Sequence, residues 1–460
     1  MAENQPTNKN RMTTELSNFA ARLRARIFSF SDVAAEVTRL IRQNRKSEIG
    51  NRKWSEPPHP PSLRFDAASV GCYENEFDTL ALELFALQFQ HNAAYRKICE
   101  ARGFTPKVIE HWTQIPAVPT AAFKELELSC IPPAERTAVF HSSGTTEQIP
   151  SRHYHSAESL KVYEASLWPW FQANVAIGAP NSDSACFQPG IVHADSEIGA
   201  PSAWQFLLVI LTPPPAQAPH SSLVHMFETV RQKLGAPESA FLGKVDVSGA
   251  WTLDFDATLA ALDSSLVTRL PAVASAKAGH PSLLLGTAFS FVHLLDFLAE
   301  RNLRFDLPAG SRVMETGGYK NHSRSMPKTE LHWFITERLG IPSSRIICEY
   351  GMSELSSQAY SGVTSGEWRV TSNSRLSRHP SPVTRHFHFP PWARVQVISP
   401  KTGREMADGE TGLIRVFDLA NVFSVMAIQT EDLGIRRDEH FELIGRSALA
   451  EARGCSLMTI

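Results

Sequence analysis

The sequence predicts an α/β fold with a β-rich C-terminal section, and three observations point there. Helix-like and strand-like runs alternate from about residue 72 onward. Beyond residue 390 the recognisable runs, 394–398 and 412–417, both read as strands. Hydrophobic residues make up 43% of the 460 and charged residues 20%, the balance of a globular chain with room for two or three domains.

Residues 1–12 are polar and expected to be disordered. Helices are predicted over 13–28 and 32–46. In the second, Val33, Val37, Leu40 and Ile41 share a face and Ser31 can cap the N-terminus. Pro57, Pro58, Pro60 and Pro61 mark 50–62 as a linker, so residues 1–61 form a basic helical extension. Residues 1–53 carry eleven Lys/Arg against five acids, although the whole chain is −2. That excess is either a solvated helix face or an arm for an acidic partner. A helix follows over 78–100. Residues 206–211 read as a buried strand ending at Pro213, Pro214 and Pro215. Leu283 to Leu285 is a short strand that runs into a helix over 288–300. In a helix over 329–339, Leu331, Phe334, Ile335 and Leu339 point inward, and Gly340 ends it. A strand over 345–349 completes an α/β core over 62–390. A β-rich section over 391–446 and a short tail over 447–460 follow.

Several function classes are excluded. The near-zero net charge offers no whole-chain field for nucleic acid or an anionic membrane. The apolar run 204–211 is far too short to span a bilayer, and the N-terminus has no apolar signal core. Six cysteines, at 72, 99, 130, 186, 348 and 455, form no CxxC pair. These features predict a reducing, cytoplasmic setting with free thiols. Of the seventeen histidines, His153/His155 and His386/His388 alternate as on strands, and His141 sits in a Ser/Thr-rich loop. No HExxH occurs, so no protein-bound zinc is expected.

Four short runs carry chemistry. In the first, Ser142, Ser143, Gly144, Thr145 and Thr146 gather hydroxyls and backbone N–H groups around a glycine, which suits phosphate oxygens. The lysine of a GxxxxGK[ST] loop is missing, and a plain Ser/Thr turn has the same composition. In the second, Glu349 to Glu354, Tyr350 offers a stacking face, Gly351 a close backbone approach and Glu354 an oxygen for Mg²⁺; Met352 and Ser353 lie between. The third is Thr430-Glu431-Asp432, whose aspartate can accept two ribose hydroxyls. The fourth is Gly445-Arg446. Singly, the last three also read as an ordinary surface glutamate, acidic turn and arginine.

Taken in order, these runs resemble the adenylate-forming superfamily of acyl-CoA ligases, adenylation domains and luciferases. More narrowly, the chain is similar to the acyl-protein synthetases of bacterial bioluminescence operons. That likeness rests on Ile115 to Thr120 with Phe123 and Lys124, on Phe140 to Thr146, on Ser221 to Leu223, on Glu315 to Lys320, on Glu349 to Glu354, and on Arg453 to Leu457. The resemblance implies a large adenylation domain, ATP and Mg²⁺ as cofactors, and residues 142–146 on the phosphates. It implies that Gly317, Gly318, Tyr319, Tyr350, Gly351, Met352 and Ser353 border the nucleotide, and that Asp432 and Arg446 complete the site. Glu354 and Thr145 would hold the metal, and Lys320 would neutralise phosphate or carboxylate charge.

Two positions depart from the superfamily pattern: Glu147 and Glu431 stand where glycines are usual. Glu147 would bring negative charge beside a triphosphate, which Arg152 or Mg²⁺ can offset. Fourteen residues follow Arg446, none of them lysine, so the C-terminal lysine domain of acyl-CoA ligases is expected to be absent. The resemblance makes Cys455, beside Arg453, the acyl acceptor. A chance free thiol on a frayed tail is the alternative. The expected function is activation of a fatty or aromatic acid as its acyl-adenylate, then thioester formation on Cys455 or transfer to a partner reductase or carrier protein. Phe289, Val292 and His293 are candidates for the acid pocket, or else core. Two other readings stay open: a ligase that hands the acyl-adenylate to a carrier or small molecule, and a non-catalytic scaffold that keeps the fold. No nucleic acid is expected as a partner, and the sequence sets no oligomeric state.

Overall fold

The computed structural model describes residues 14–29, 67–142, 149–176, 206–235, 239–264, 280–317, 326–362 and 385–447. Its helices are α1 (14–29), α2 (Ala67–His91), α3 (Ala93–Ala101), α4 (Ala122–Glu125), α5 (Ala157–Phe171), α6 (Ser222–Leu234), α7 (Phe255–Ser264), α8 (Ala288–Glu300) and α9 (Lys328–Leu339). The strands of the first half are β1 (Val118–Pro119), β2 (Ala138–His141), β3 (Arg152–His155), β4 (Leu207–Ile210), β5 (Ala240–Phe241), β6 (Gly243–Val245) and β7 (Trp251–Leu253). The second half adds β8 (Ser282–Thr287), β9 (Arg312–Thr316), β10 (Ile346–Tyr350), β11 (Ala359–Gly362), β12 (His386–His388), β13 (Ala393–Ile398), β14 (Thr411–Asp418), β15 (Ala427–Arg437) and β16 (His440–Arg446).

One twelve-stranded sheet runs β13-β14-β15-β16-β12-β11-β10-β9-β8-β4-β5, with β1 against β15. Strands β5, β4, β8, β9 and β10 are parallel neighbours. From β10 to β13 every pairing is antiparallel. The β-rich section therefore continues the α/β sheet through the β12–β16 pairing.

Parallel strands covered on both faces need apolar residues at every position, and β8 is buried throughout. Alternation sorts the side chains. Leu284, Val313 and Ile346 pack with α8 and α9, whereas Leu283, Leu285, Met314 and Ile347 pack with α5 and α6. Helix α8 starts where its capping box, Thr287 with Ser290, closes. Helix α9 ends at Gly340, whose φ of 69° is the left-handed cap expected there. Leu331, Ile335 and Leu339 are buried as predicted, and Phe334 is partly so.

Two expectations change. The helix over 78–100 is two helices, because Asn92 leaves helical backbone and accepts the Tyr95 N–H as an N-cap. Local side-chain competition of this kind leaves no mark on hydrophobic periodicity. The basic extension, in turn, finds acidic partners within the chain. Leu16, Phe19, Ala20, Leu23 and Ile27 of α1 are buried in the core. Arg22 and Arg26 pair with Glu83 and Glu76 of α2, and Glu15 pairs with His91 at 3.0 Å. The helix predicted over 32–46, the linker and the tail beyond Ser447 lie outside the described residues. Among those described, no helix is long and apolar enough to cross a membrane.

Candidate active site

The site lies where the parallel strands end, the place at which α/β sheets present loops to ligands. Hairpin β2–β3 pairs Phe140 with His153 and His141 with Arg152, so residues 143–148 form the connection at its tip. The base of that connection is locked. Ser142 N–H donates to the Ser151 carbonyl (3.3 Å) and Ser151 N–H to Ser142 Oγ (2.9 Å). From there the contacts cross to the turn after β10. Ser151 Oγ lies 3.5 Å from Ser353 Oγ, which donates to Glu354 Oε2 at 2.9 Å. His153 Nδ1 donates to the Ser353 carbonyl at 2.9 Å. Burial holds the His153 pKa below its ordinary value, so the ring stays neutral. Arg152 Nη2 donates to the Lys124 carbonyl at 3.2 Å.

Glu354 is fully buried, and Asn421 Nδ2 donates to its carbonyl at 2.8 Å. With Ser142, Ser151 and Ser353 it makes an all-oxygen donor set of the kind Mg²⁺ takes. The Gly351 turn brings the backbone close to Glu349, so that a Cβ there would meet Glu349 Oε1 and push that carboxyl aside. Met352 packs against the core beside it.

The second half of the site comes from β15 and β16, which pair Asp432 with Arg446. Arg446 Nε donates to Asp432 Oδ1 at 3.2 Å, and Tyr350 Oη donates to Asp432 Oδ2 at 3.0 Å. Burial first, and the Asp432 carboxylate next, push the Tyr350 phenol well up, so it remains a donor. Its ring is buried edge-to-face among Phe387, Phe389 and Phe441. What Tyr350 presents is therefore its hydroxyl rather than the open stacking face expected. Glu431, which stands where a glycine is usual, accepts from Arg446 Nη2 at 3.1 Å. That contact gives Glu431 a structural use on the same guanidinium that meets Asp432.

Gly317 follows β9, and its carbonyl accepts from Lys328 Nζ at 3.0 Å. The rings of Phe289 and His293 lie 4.1 Å apart, tilted by 40°, and line a small depression with Leu211, Trp251, Leu253 and Thr287. Val292 does not join them; the period of α8 turns it into the core. Ser143, Gly144, Thr145, Thr146, Glu147, Gly318, Tyr319, Lys320 and Cys455 lie outside the described residues. The described thiols Cys99, Cys130 and Cys348 are all buried, and desolvation raises them to about 11, 12 and 12. None of these three suits an exposed acyl acceptor.

A buried network under β9 and β10 was not foreseen. Glu315 receives Lys328, His332 Nε2 (3.2 Å) and the Cys348 thiol (2.9 Å). Glu315, His332 and Cys348 have the residue types of a metal site. The proton arrangement opposes one. Arg385 Nη2 donates to His332 Nδ1 (2.9 Å), which leaves the His332 proton on Nε2, where a metal would need the lone pair. Lys328 and Arg385 add two positive charges. The sequence marks Glu315 only as the start of the 315–320 run, and nothing local names Lys328, His332 or Cys348 as its partners.

This fold is that of adenylate-forming ligases. It matches solved structures of 2-hydroxyisobutyryl-CoA ligase in complex with 2-HIB-AMP and CoA. The open form aligns at TM-score 0.52 and 12% identity, covering 86% of this chain and 75% of that one. The form in the thioesterification state aligns at TM-score 0.53 and 13% identity, covering 86% and 73%. Within this class the chain belongs to the acyl-protein synthetase LuxE family, which matches residues 67–159 and 228–459. It is also 23% identical over 384 residues to the long-chain-fatty-acid–luciferin-component ligase of Vibrio harveyi, covering 81% of this chain and 84% of the relative. The corresponding Aliivibrio fischeri ligase matches at 23% over 186 residues, 38% of this chain and 44% of the relative. The chain is thus a ligase of the acyl-protein synthetase kind, one that activates an acid as its acyl-adenylate for transfer to a protein thiol.

Proposed function

We propose that the acid is a long-chain fatty acid and that Cys455 is the first acyl acceptor. The observation that carries this reading is the convergence, at one end of the sheet, of the Ser142–Ser151–Ser353–Glu354 contacts with the Tyr350–Asp432–Arg446 cluster. In the first step, a carboxylate oxygen attacks the α-phosphorus of ATP. The bond to the bridging oxygen breaks, and pyrophosphate leaves with that electron pair. Residues 142–146 and Arg152 hold the phosphates, and Asp432 orients the ribose. Glu354 with Thr145 would hold Mg²⁺, which would supply charge neutralisation at the phosphates. In the second step, the Cys455 thiolate attacks the acyl carbon and AMP departs, leaving a thioester. A reductase or a carrier protein then takes the acyl group.

The burial of Cys99, Cys130 and Cys348 supports an acceptor elsewhere in the chain or on a partner. ATP–pyrophosphate exchange across acids from C4 to C18, with benzoate as the aromatic arm, tests the first step. Exchange that peaks with long-chain acids is expected. Exchange with none of them contradicts the reading.

A further inference from the structure

Strands β9 and β10 run parallel, with Glu315 beside Cys348 and Thr316 beside Glu349. Alternation puts the two pairs on opposite faces of the sheet. Glu315 meets Lys328 and His332 of α9. Glu349 points the other way, toward the side covered by α5 and α6. There its Oε2 accepts the Thr316 hydroxyl. Its Oε1 has no hydrogen-bond partner among the described residues and lies against Gly351, the glycine of the site turn.

The groups around Glu349 are mostly neutral. They are the phenols of Tyr163 from α5 and Tyr360 from β11, with Gln358, whose amide donates to Tyr163 Oη at 3.3 Å. The charged ones are Glu315 and Lys328, across the sheet. Lys328 is committed to Glu315 and the Gly317 carbonyl, and no cation lies within ion-pair distance of Glu349 among the described residues. A carboxyl that is almost dry, without a cation and beside another carboxylate, keeps its proton. Burial, with Glu315 adding, raises it to about 7.

We infer that Glu349 acts as a proton-bearing hydrogen-bond donor, through Oε1, to an anionic oxygen of a substrate at the Gly351 turn. The inference rests on the acid-activation reading above. The oxygen belongs either to the entering carboxylate or to an ATP phosphate. In both cases the physical logic is the same. Two anions must meet beside this residue, so a neutral carboxylic acid attracts where a carboxylate would repel.

The test is ATP–pyrophosphate exchange with tetradecanoate from pH 5.5 to 9, on the wild type and Glu349→Gln. Glutamine keeps a carbonyl for the Thr316 hydroxyl and an N–H to donate, and it cannot ionise. With an ionisation near pH 7, wild-type kcat/KM should fall about 30-fold between pH 6 and 8.5, and that limb should vanish in the variant. The limb should appear in KM for tetradecanoate if the carboxylate is the partner, and in KM for ATP if a phosphate is. The same limb in both proteins would overturn the inference while leaving acid activation intact. If neither protein shows exchange, tryptophan-fluorescence titrations with tetradecanoate and with MgATP at pH 6 and 8.5 decide. Binding of one ligand that weakens with pH in the wild type alone supports the role. Binding that is equally pH-dependent in both, or absent from both, overturns it.

Discussion

Glu315 and Glu349 stand at the ends of neighbouring strands, on opposite faces of one sheet, and the two faces give them different charge states. Desolvation acts on both and favours the neutral form. On the α9 face, Lys328, His332 and the Cys348 thiol more than offset it, so the Glu315 pKa falls well below the usual carboxylate range. On the α5 face burial, with the Glu315 carboxylate, outweighs the Thr316 hydroxyl and the Lys328 charge across the sheet, and Glu349 rises to about 7. Sheet geometry alone thus turns two adjacent glutamates into one fixed anion and one neutral acid, without any difference in backbone setting.

The largest effect should come from breaking the ionised side. Lys328 is 40% exposed in its side chain, whereas Glu315 is fully buried. Lys328→Met strands a dry carboxylate and should cost about 3–5 kcal/mol in urea unfolding. Glu315→Gln leaves a lysine able to turn to water. It should cost less, about 1–3 kcal/mol, chiefly for the imperfectly paired His332 and Cys348. Equal costs would mean that the network does not depend on the buried anion.

The two carboxyls should also pull stability in opposite directions with pH. The Glu315 contribution is present above the ordinary glutamate pKa of about 4.3 and is lost as pH falls through its depressed folded value. The Glu349 contribution is full below about 4.3 and is lost as pH rises through about 7. Glu349→Gln should therefore gain stability over the wild type between pH 4.5 and 7.5, by on the order of 3 kcal/mol. Paired thermal melts across that range would show it, and a constant offset would refute the raised pKa. The smallest effect belongs to Cys348→Ser. The hydroxyl can still donate to Glu315, so the change should stay within about 1 kcal/mol, against about 1–3 kcal/mol for Cys348→Ala.

The fold was legible where periodicity speaks. The strand at Leu283 to Leu285, the helix over 288–300 and the stop at Gly340 were read directly from apolar spacing and a cap. The motif residues Ser142, Tyr350, Glu354, Asp432 and Arg446 were readable from their order, and β10, β15 and β16 bring three of them into contact. What the sequence hid was relational. His332 reaches Glu315 across 17 residues and Arg385 reaches His332 across 53, and only strand register shows that Glu315 and Glu349 face apart. The docking of α1 was hidden for the same reason. Arg22 and Arg26 gave the extension its basic character, but nothing local named Glu83 and Glu76 as partners. Tyr350 was read as a stacking ring because its type allowed it, and three phenylalanines distant in sequence decide otherwise.

The central claim is that this chain makes an acyl-protein. Its most direct test is intact-mass spectrometry after incubation with ATP, Mg²⁺ and tetradecanoate. The expected result is a tetradecanoyl increment on the protein that requires ATP, is released by hydroxylamine and is absent from Cys455→Ala. An increment that survives Cys455→Ala would move the acceptor elsewhere, and no ATP-dependent increment on the chain or on a thiol protein supplied with it would contradict the account.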